Sequence, residues 1–372
     1  MKINGAKLIT FFTFLCCFIL PTYYFSIKFN VDVTKYVFLF ASLFVYFSLL
    51  ATEKKVSVFD FFSMIVIFLL CFIKKNITPM HLIELVVAFK LVNSNGIINK
   101  KCYKLYLFSA LIAVIIYSTF YFGYLGRYIY TGLKEVNQSG FAVFMLFLLI
   151  RIENKKLGDI LLIIGILTFS RNYLLCMAVF YFFEFFKNNS KINKLLKKIS
   201  FKKMVIISFC LLLFISSMFD LAYKKGKISA YQTGINRYLN IFDYSNYFRF
   251  SVNTKLIKIY IDNPKLLLTG MEDDQFYKYS LEISKNEEIP YRQIKPHNYF
   301  FSYLRIYGIF ALLIFWILGM ILNKVINEKN KPILVILFIY ANILGIGFAN
   351  YWLFLSIITL SEYRNGGELK YE

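Results

Sequence analysis

The chain has 372 residues, of which 59% are hydrophobic, 20% are aromatic and 17% are charged. Soluble domains have about 45–50% apolar and about 25% charged residues, and one water-soluble core cannot hold 43 Phe and 29 Tyr. This composition excludes an ordinary soluble enzyme, and its high hydrophobicity excludes a disordered chain. The sequence therefore predicts a polytopic membrane protein.

Apolar runs of transmembrane length recur along the chain. A helix needs about 20 apolar residues to cross the hydrocarbon, and fewer where protein shelters it. The first run has a basic start but no small-residue cleavage pattern, so we interpret it as a span and not as a signal peptide. We predict an all-α protein with about 12 spans, near residues 8–27, 35–51, 57–73, 80–98, 105–124, 140–152, 157–169, 172–186, 203–221, 298–322, 332–348 and 350–362. Several are short, and those that meet at Ser170-Arg171 and near Gly347–Asn350 are expected to form tight hairpins or broken helices.

The distribution of Lys and Arg predicts how these spans are oriented. With the N-terminus inside, the cytoplasmic segments hold 22 of these residues, and the short outer loops hold 6 besides Arg171 in the Ser170-Arg171 turn. Cytoplasmic loops of membrane proteins collect Lys and Arg, so we expect both termini in the cytoplasm. The same rule accounts for the formal charge of +22 without a nucleic-acid partner.

This orientation divides the chain into three parts. Residues 1–221 form an N-terminal transmembrane bundle of about nine spans, residues 222–296 form a 75-residue outer loop, and residues 297–372 form C-terminal transmembrane helices and a cytoplasmic tail. Loops of this length are usually functional or disordered. Leu256, Ile259 and Tyr260 follow a helix-like spacing, and Asn263-Pro264 should end that helix, so we expect the loop to be partly folded.

Cysteine and histidine usage does not suggest a metal site or a disulfide framework. Five of the six cysteines lie inside apolar runs, no CxxC pair occurs, and the only histidines are His81 and His297. His81 starts a span near Pro79, and we interpret it as structural. The acidic run Glu272–Asp274 has no partner ligands that the sequence places, so we interpret it as part of a solvated loop. We therefore expect neither a metal nor a cofactor.

Five arginines lie on the outer side, whereas the cytoplasmic side takes mainly Lys. They are Arg127, Arg171, Arg237, Arg249 and Arg292. The planar guanidinium group binds phosphate through two parallel hydrogen bonds. This distribution suits a membrane enzyme that handles a lipid pyrophosphate from the outer leaflet.

Arg171 and His297 each stand at a boundary of a predicted span. A charged residue between spans costs about 2.5–3.5 kcal/mol on insertion scales unless it is paired or hydrated, so Arg171 either snorkels to headgroups or forms an anion site. His297 lies where the outer loop re-enters the membrane, and it either begins a helix or acts as a general base. Nearby Arg292 and Lys295 favour its neutral, proton-accepting form.

Four features along most of the chain resemble bacterial O-antigen ligases and Wzy-type repeat-unit polymerases. They are Arg127 and Gly132 ahead of Asn137-Gln138-Ser139-Gly140 at the start of a span, Ser170-Arg171 at a span boundary, a large outer loop with Arg249, Asn263-Pro264 and Gly270, and His297-Asn298 entering a span with Leu304 and Gly308. The family more often has Asn-Pro-Asn where this chain has Asn137-Gln138-Ser139.

The resemblance implies a GT-C-like fold and a metal-independent, inverting membrane glycosyltransferase. Its donor would be a glycan on undecaprenyl pyrophosphate at the outer face of the bacterial cytoplasmic membrane. Its acceptor would be a sugar hydroxyl on another lipid-linked repeat unit, in a polymerase, or on lipid A core, in a ligase. We favour a polymerase of O-antigen or capsule, with a chain-length regulator as a candidate partner. The alternatives are a ligase and a non-enzymatic flippase of lipid-linked oligosaccharide.

The resemblance also implies roles for individual residues. Arg171 and Arg249 are expected to hold the pyrophosphate, on which negative charge develops as it departs. His297 is expected to accept the proton of the acceptor hydroxyl. The expected substrate-binding residues are Arg127, Arg237, Arg292 and Asn298.

Overall fold

The computed structural model describes part of the chain, and in that part helices are the only regular elements apart from one isolated bridge between Ser229 and Asp243. It describes residues 43, 47, 57–73, 108, 111–112, 114–123, 126–129, 136–186, 189–191, 194, 198, 200–230, 236–283, 296, 298–325 and 331–342. The predicted spans 8–27, 80–98 and 350–362 lie outside these residues, as does span 35–51 except for two positions. The all-α prediction is confirmed for the described part, and the number of spans stays a prediction.

The helices are numbered here in chain order. They are α1 (Val58–Ile73), α2 (Val136–Glu153), α3 (Lys155–Ile164), α4 (Arg171–Phe185), α5 (Phe201–Lys224), α6 (Asn236–Leu239), α7 (Tyr244–Asp262), α8 (Pro264–Thr269), α9 (Asp273–Ile283), α10 (Tyr299–Tyr307), α11 (Ala311–Val325) and α12 (Lys331–Ala341). Two 3-10 turns, Gly165–Thr168 and Gly308–Phe310, follow α3 and α10. Side-chain oxygens that accept a backbone N–H three residues later begin α4, α5, α7 and α10, and they belong to Ser170, Ser200, Asp243 and Asn298.

Helix α2 forms the centre of the first group of helices. Every residue from Phe141 to Ile150 is buried, as expected of a helix that is apolar on all sides. Helices α3 and α4 pack directly on α2, and α12 covers α4. The ring of Phe144 lies 5.7 Å from that of Tyr173 on α4 and 6.5 Å from that of Tyr340 on α12, so aromatic side chains fill much of this core.

Two stretches of the described chain are long and apolar enough to cross a bilayer, namely Phe201–Lys224 and Tyr299–Met320. The first is α5, and only 22% of its most apolar window is buried within the protein. Large apolar side chains such as Ile207 and Phe214 point outward from it. A core helix of a soluble protein would bury these side chains. The opposite face of α5 packs along α7.

The described part of residues 222–296, the predicted outer loop, contains the folded helix that the sequence predicts. Helix α7 ends at Asp262, and Pro264 occupies the first turn of α8, so the predicted boundary at Asn263-Pro264 is confirmed. Leu256 and Ile259 are fully buried on this helix, which packs along α5. The loop thus begins as an extension of the helical bundle.

The stretch predicted as one span at residues 298–322 is broken at Gly308. Helix α10 ends there, and the chain continues as a 3-10 turn into α11. Gly308 has φ +55°, and Gly270, after α8, has φ +69°. A Cβ on Gly308 would overlap the carbonyl oxygen of Leu267, and a Cβ on Gly270 would overlap that of Ile306. Glycine therefore allows two backbones to touch at this break.

Candidate functional site

The Ser170-Arg171 turn is built by a chain that reverses sharply between α3 and α4. Phe169 has φ +50°, the only positive value among described residues other than glycine. Ser170 then caps α4 by accepting a hydrogen bond of 3.3 Å from the backbone N–H of Tyr173. Gly140, at the start of α2, packs so closely on this turn that a Cβ would lie 2.6 Å from the Ser170 Oγ. The two short motifs of the first half of the chain are therefore in contact.

The loop that carries Arg127 lies beside the same turn. The backbone N–H groups of Tyr128 and Ile129 donate to the Leu167 carbonyl at 3.1 and 3.3 Å. The side chain of Arg127 is 2% exposed, so it is enclosed by protein and does not project into solvent. Arg127 thus lies beside the Ser170-Arg171 turn and is enclosed by protein, and its substrate role stays a prediction.

Arg171 joins the turn to the outer loop. Its Nη2 donates to the Asp243 Oδ2 at 2.7 Å and to the Asn240 carbonyl at 2.7 Å. The Asp243 carboxylate is fully buried, whereas the Arg171 side chain is 17% exposed. Asp243 also caps α7 by accepting from the Asn246 backbone N–H at 2.9 Å. One buried carboxylate therefore fixes both the guanidinium group and the start of α7.

Helix α7 carries Arg249 and contacts the residue that precedes α10. Arg249 is partly buried and lies about 9 Å along the helix axis from the capping Asp243. Asn253 follows one turn later on the same face. Its side chain accepts a 2.7 Å hydrogen bond from the Asn298 amide and donates to the Ser216 Oγ of α5 at 3.2 Å. Three elements, α5, α7 and α10, are connected by this buried polar chain.

Asn298 holds the start of α10. It accepts a 2.7 Å hydrogen bond from the backbone N–H of Phe301 while its amide group bonds to Asn253. Just beyond it, the Ser302 hydroxyl donates to the Pro296 carbonyl at 2.7 Å. The start of α10 therefore lies beside α7.

A second polar contact holds the other end of α10. The Arg305 Nη2 lies 2.6 Å from the Asp273 Oδ1, and its guanidinium carbon is 5.6 Å from the centre of the Phe276 ring. The Tyr260 hydroxyl on α7 donates to the Leu304 carbonyl at 2.7 Å. Burial raises the pKa of Tyr260, so its phenol stays protonated and continues to donate this bond. Helices α7 to α9 therefore position α10 along its whole length.

The structure brings together some of the predicted site residues. Arg127 lies in the loop that contacts the Arg171 turn. Helix α7 carries Arg249, bonds to Arg171 through Asp243 at its start, and bonds to Asn298 through Asn253 about 15 Å further along its axis. Arg237 belongs to the short α6, just before Asn240, but its side chain is outside the described residues, as are His297 and Arg292. Their predicted roles stay predictions.

The sequence analysis missed three residues that hold this arrangement, namely Asp243, Asn253 and Arg305. Its interpretation of Asp273 as part of a solvated loop was wrong, because Asp273 begins α9 and pairs with the buried Arg305. Asp243 had a recognisable signal, since an Asp ahead of a helical run is a typical helix start. Asn253 and Arg305 lie within helical runs, and no local pattern distinguishes a partner of a distant residue from a solvated side chain.

The site combines three capped helix N-termini with arginine side chains. Helix N-termini carry partial positive charge and favour anions, and Arg171 and Arg249 add formal positive charge, which Asp243 offsets in part. Among the described residues, no three His, Cys, Asp or Glu side chains are grouped to hold a metal ion. The start of α4 with Arg171 is therefore chemically suited to contact an anionic group, whereas the start of α10 lies about 15 Å along α7 from the start of that helix.

Comparison with known proteins gives no relative for this chain. No protein-family model matches it, and neither a curated protein nor a solved structure matches it significantly. Function therefore has to be argued from the residues and from their arrangement.

Proposed function

We propose that the protein is a membrane-embedded polymerase of polysaccharide repeat units. It transfers a glycan from undecaprenyl pyrophosphate to a sugar hydroxyl of another lipid-linked unit at the outer face of the bacterial cytoplasmic membrane. The observation that carries this proposal is the linkage of Arg171, Arg249 and Asn298 through α7. The motifs that resemble the polymerase and ligase family are separated in sequence, and this helix connects them.

The membrane location is supported by composition and by α5. The hydrophobic fraction of 59% exceeds what soluble proteins contain, and α5 exposes its apolar side chains along a length that matches a bilayer. The excess of Lys and Arg in alternate loops supports cytoplasmic termini. In this orientation the α7 end of the bundle faces outward, where lipid-linked sugars are polymerised.

The reaction assigned to the site needs a stabilised leaving group and a base. The acceptor hydroxyl oxygen bonds to the anomeric carbon as the bond from that carbon to the pyrophosphate oxygen breaks. The electron pair leaves with the pyrophosphate, and the guanidinium groups of Arg171 and Arg249 stabilise its charge. His297 takes the hydroxyl proton. Attack opposite the leaving group inverts the anomeric centre, and no metal ion is required.

The test uses the full chain reconstituted with purified lipid-linked repeat units, with glycan length as the measurement. Arg249→Ala should slow elongation about 100-fold or more, which is typical for loss of one group that stabilises developing charge. His297→Ala should abolish elongation, while the amount of protein stays unchanged. Lys258→Ala is the matched control, since Lys258 is an exposed cation on the same helix, and this variant should elongate normally.

Each outcome separates the proposal from its alternatives. Normal chain lengths from Arg249→Ala and His297→Ala would remove the assignment of both residues. Translocation of the donor without new glycosidic bonds would identify a flippase. Transfer that requires lipid A core as acceptor would identify a ligase, and elongation of the lipid-linked unit alone identifies a polymerase.

A further inference from the structure

We propose that exposed lysines shortly before α5 and in its first turn form a binding surface for anionic phospholipid headgroups at the inner leaflet. We call it the lysine surface, and it consists of Lys191, Lys194, Lys198, Lys202 and Lys203, all exposed. The inference needs the membrane location of the proposed function, but it does not depend on glycosyl transfer.

The lysine surface is positively charged without local compensation. Positions 191, 194 and 198 are helical, and their spacing of three and four residues places their side chains on one helix face. No Asp or Glu occurs in the sequence from Phe185 to Phe219. Lysines concentrated in this way favour a multivalent anionic partner.

Two acidic groups close to the end of α4, Asp159 and Glu184, are already engaged. Arg151, at the end of α2, bonds through Nε to the Asp159 Oδ1 and through Nη2 to the Glu184 Oε2, both at 2.6 Å. Asp159 also accepts from the Tyr181 hydroxyl at 2.8 Å. These bonds tie the end of α2 to α3 and to the end of α4, and they use both carboxylates for internal pairing.

Exposed apolar side chains flank the lysine surface on both sides, and they identify the partner as a lipid. Phe182 and Phe185 at the end of α4 are 50% and 82% exposed. Ile206 and Ile207, one turn beyond Lys203, are 53% and 58% exposed. A band of cations directly beside a band of exposed apolar side chains matches the boundary between headgroups and hydrocarbon. A soluble anion or an acidic protein would leave these apolar groups in water.

The length of α5 supports the same assignment. From Lys203 to Lys224 the helix rises about 32 Å, close to the hydrocarbon thickness of about 30 Å. Lys224, Lys225 and Lys227 mark the far end, and all three are exposed. The lysine surface therefore lies at the level of one leaflet's headgroups, with a smaller basic group at the level of the other.

The test measures which phospholipids stay bound to the purified full-length protein. The protein is extracted from bilayers of equal phosphatidylglycerol and phosphatidylcholine, and bound lipid is quantified by mass spectrometry. Wild type should retain phosphatidylglycerol preferentially, and higher salt should weaken this preference. Changing all five lysines to Gln should reduce the preference about tenfold or more. Changing them to Arg should preserve it, which controls for loss of folding.

The matched control changes Lys224, Lys225 and Lys227 to Gln, and it should reduce the preference less than about twofold, because this group holds fewer cations. Equal retention of both lipids by wild type would overturn the proposal. An equal loss of phosphatidylglycerol preference in the control variant would also overturn the proposal, because the preference would then depend on the total charge of the protein and not on the lysine surface. Displacement of phosphatidylglycerol by inorganic phosphate or an acidic peptide at matched charge would show a general anion site and refute the lipid assignment. If glycan elongation fails but the lipid preference is retained, only the proposed function is removed.

Discussion

Replacing Asp243 should separate its two structural roles. Its carboxylate pairs with Arg171 at 2.7 Å and caps α7 by accepting from Asn246 at 2.9 Å. Asp243→Asn removes the charge but keeps an oxygen that can cap the helix, because Asn and Asp are nearly equal at this position. Asp243→Ala removes both functions. The difference between the two variants is therefore the contribution of the cap.

The magnitudes follow from burial. Breaking a buried ion pair by removing one partner costs about 3–5 kcal/mol, and the lower end applies here because Arg171 is 17% exposed and retains some hydration. We expect a loss of about 3 kcal/mol for Asp243→Asn. Loss of the cap adds about 1 kcal/mol, so we expect about 4 kcal/mol for Asp243→Ala. The double variant Arg171→Met with Asp243→Asn leaves no unpaired buried charge and should be more stable than Asp243→Asn alone.

Thermal unfolding of the purified protein in detergent, followed by circular dichroism, measures this order. At about 2 °C per kcal/mol, the two single variants should melt about 6 and 8 °C below wild type. Asp262→Asn, an exposed carboxylate at the end of the same helix, should melt as wild type does. A wild-type melting temperature for Asp243→Asn would refute the role of the ion pair. A double variant less stable than Asp243→Asn would refute the argument from unpaired charge.

Two further predictions concern the contacts of α10. Gly308→Ala should lower the free energy of unfolding by about 3 kcal/mol or more, because of the positive φ and the overlap with the Leu267 carbonyl. Gly226→Ala should lower it by only about 1 kcal/mol, because Gly226 has a similar φ but open space around it. Equal melting temperatures for these two variants would show that the close contact of Gly308 with Leu267 does not contribute to the loss of stability. Asp273→Ala should destabilise more than Arg305→Met, because the Arg305 side chain is 3% exposed and Asp273 is 50% exposed, so only the first leaves a buried cation without its carboxylate. The reverse order of melting temperatures would contradict this reasoning.

Local sequence signals predicted the boundaries that local chemistry determines. The break at Ser170-Arg171 and the helix end at Asn263-Pro264 both depend on capping and on proline geometry, which neighbouring residues decide. The break at Gly308 was not predicted, because its cause is a backbone contact with the segment at Gly270. Without knowledge of the contacting segment at Gly270, an apolar run that contains one glycine predicts a continuous span.

The candidate site divides in the same way. Arg171 and Arg249 were predicted as site residues from their residue type and from the outer position that the charge distribution predicts for them. The pairing of Arg171 with Asp243 joins residues 72 positions apart, and a single sequence carries no record of such a contact. The same holds for Asn253 and Asn298, which are 45 positions apart.

The contact of Gly270 with Gly308 has a mechanical consequence. Side chains absorb small movements between neighbouring elements by changing rotamer, but none lies between these two backbones. A displacement of α8 therefore passes directly to the C-terminal end of α10, without the slack that an intervening side chain would provide.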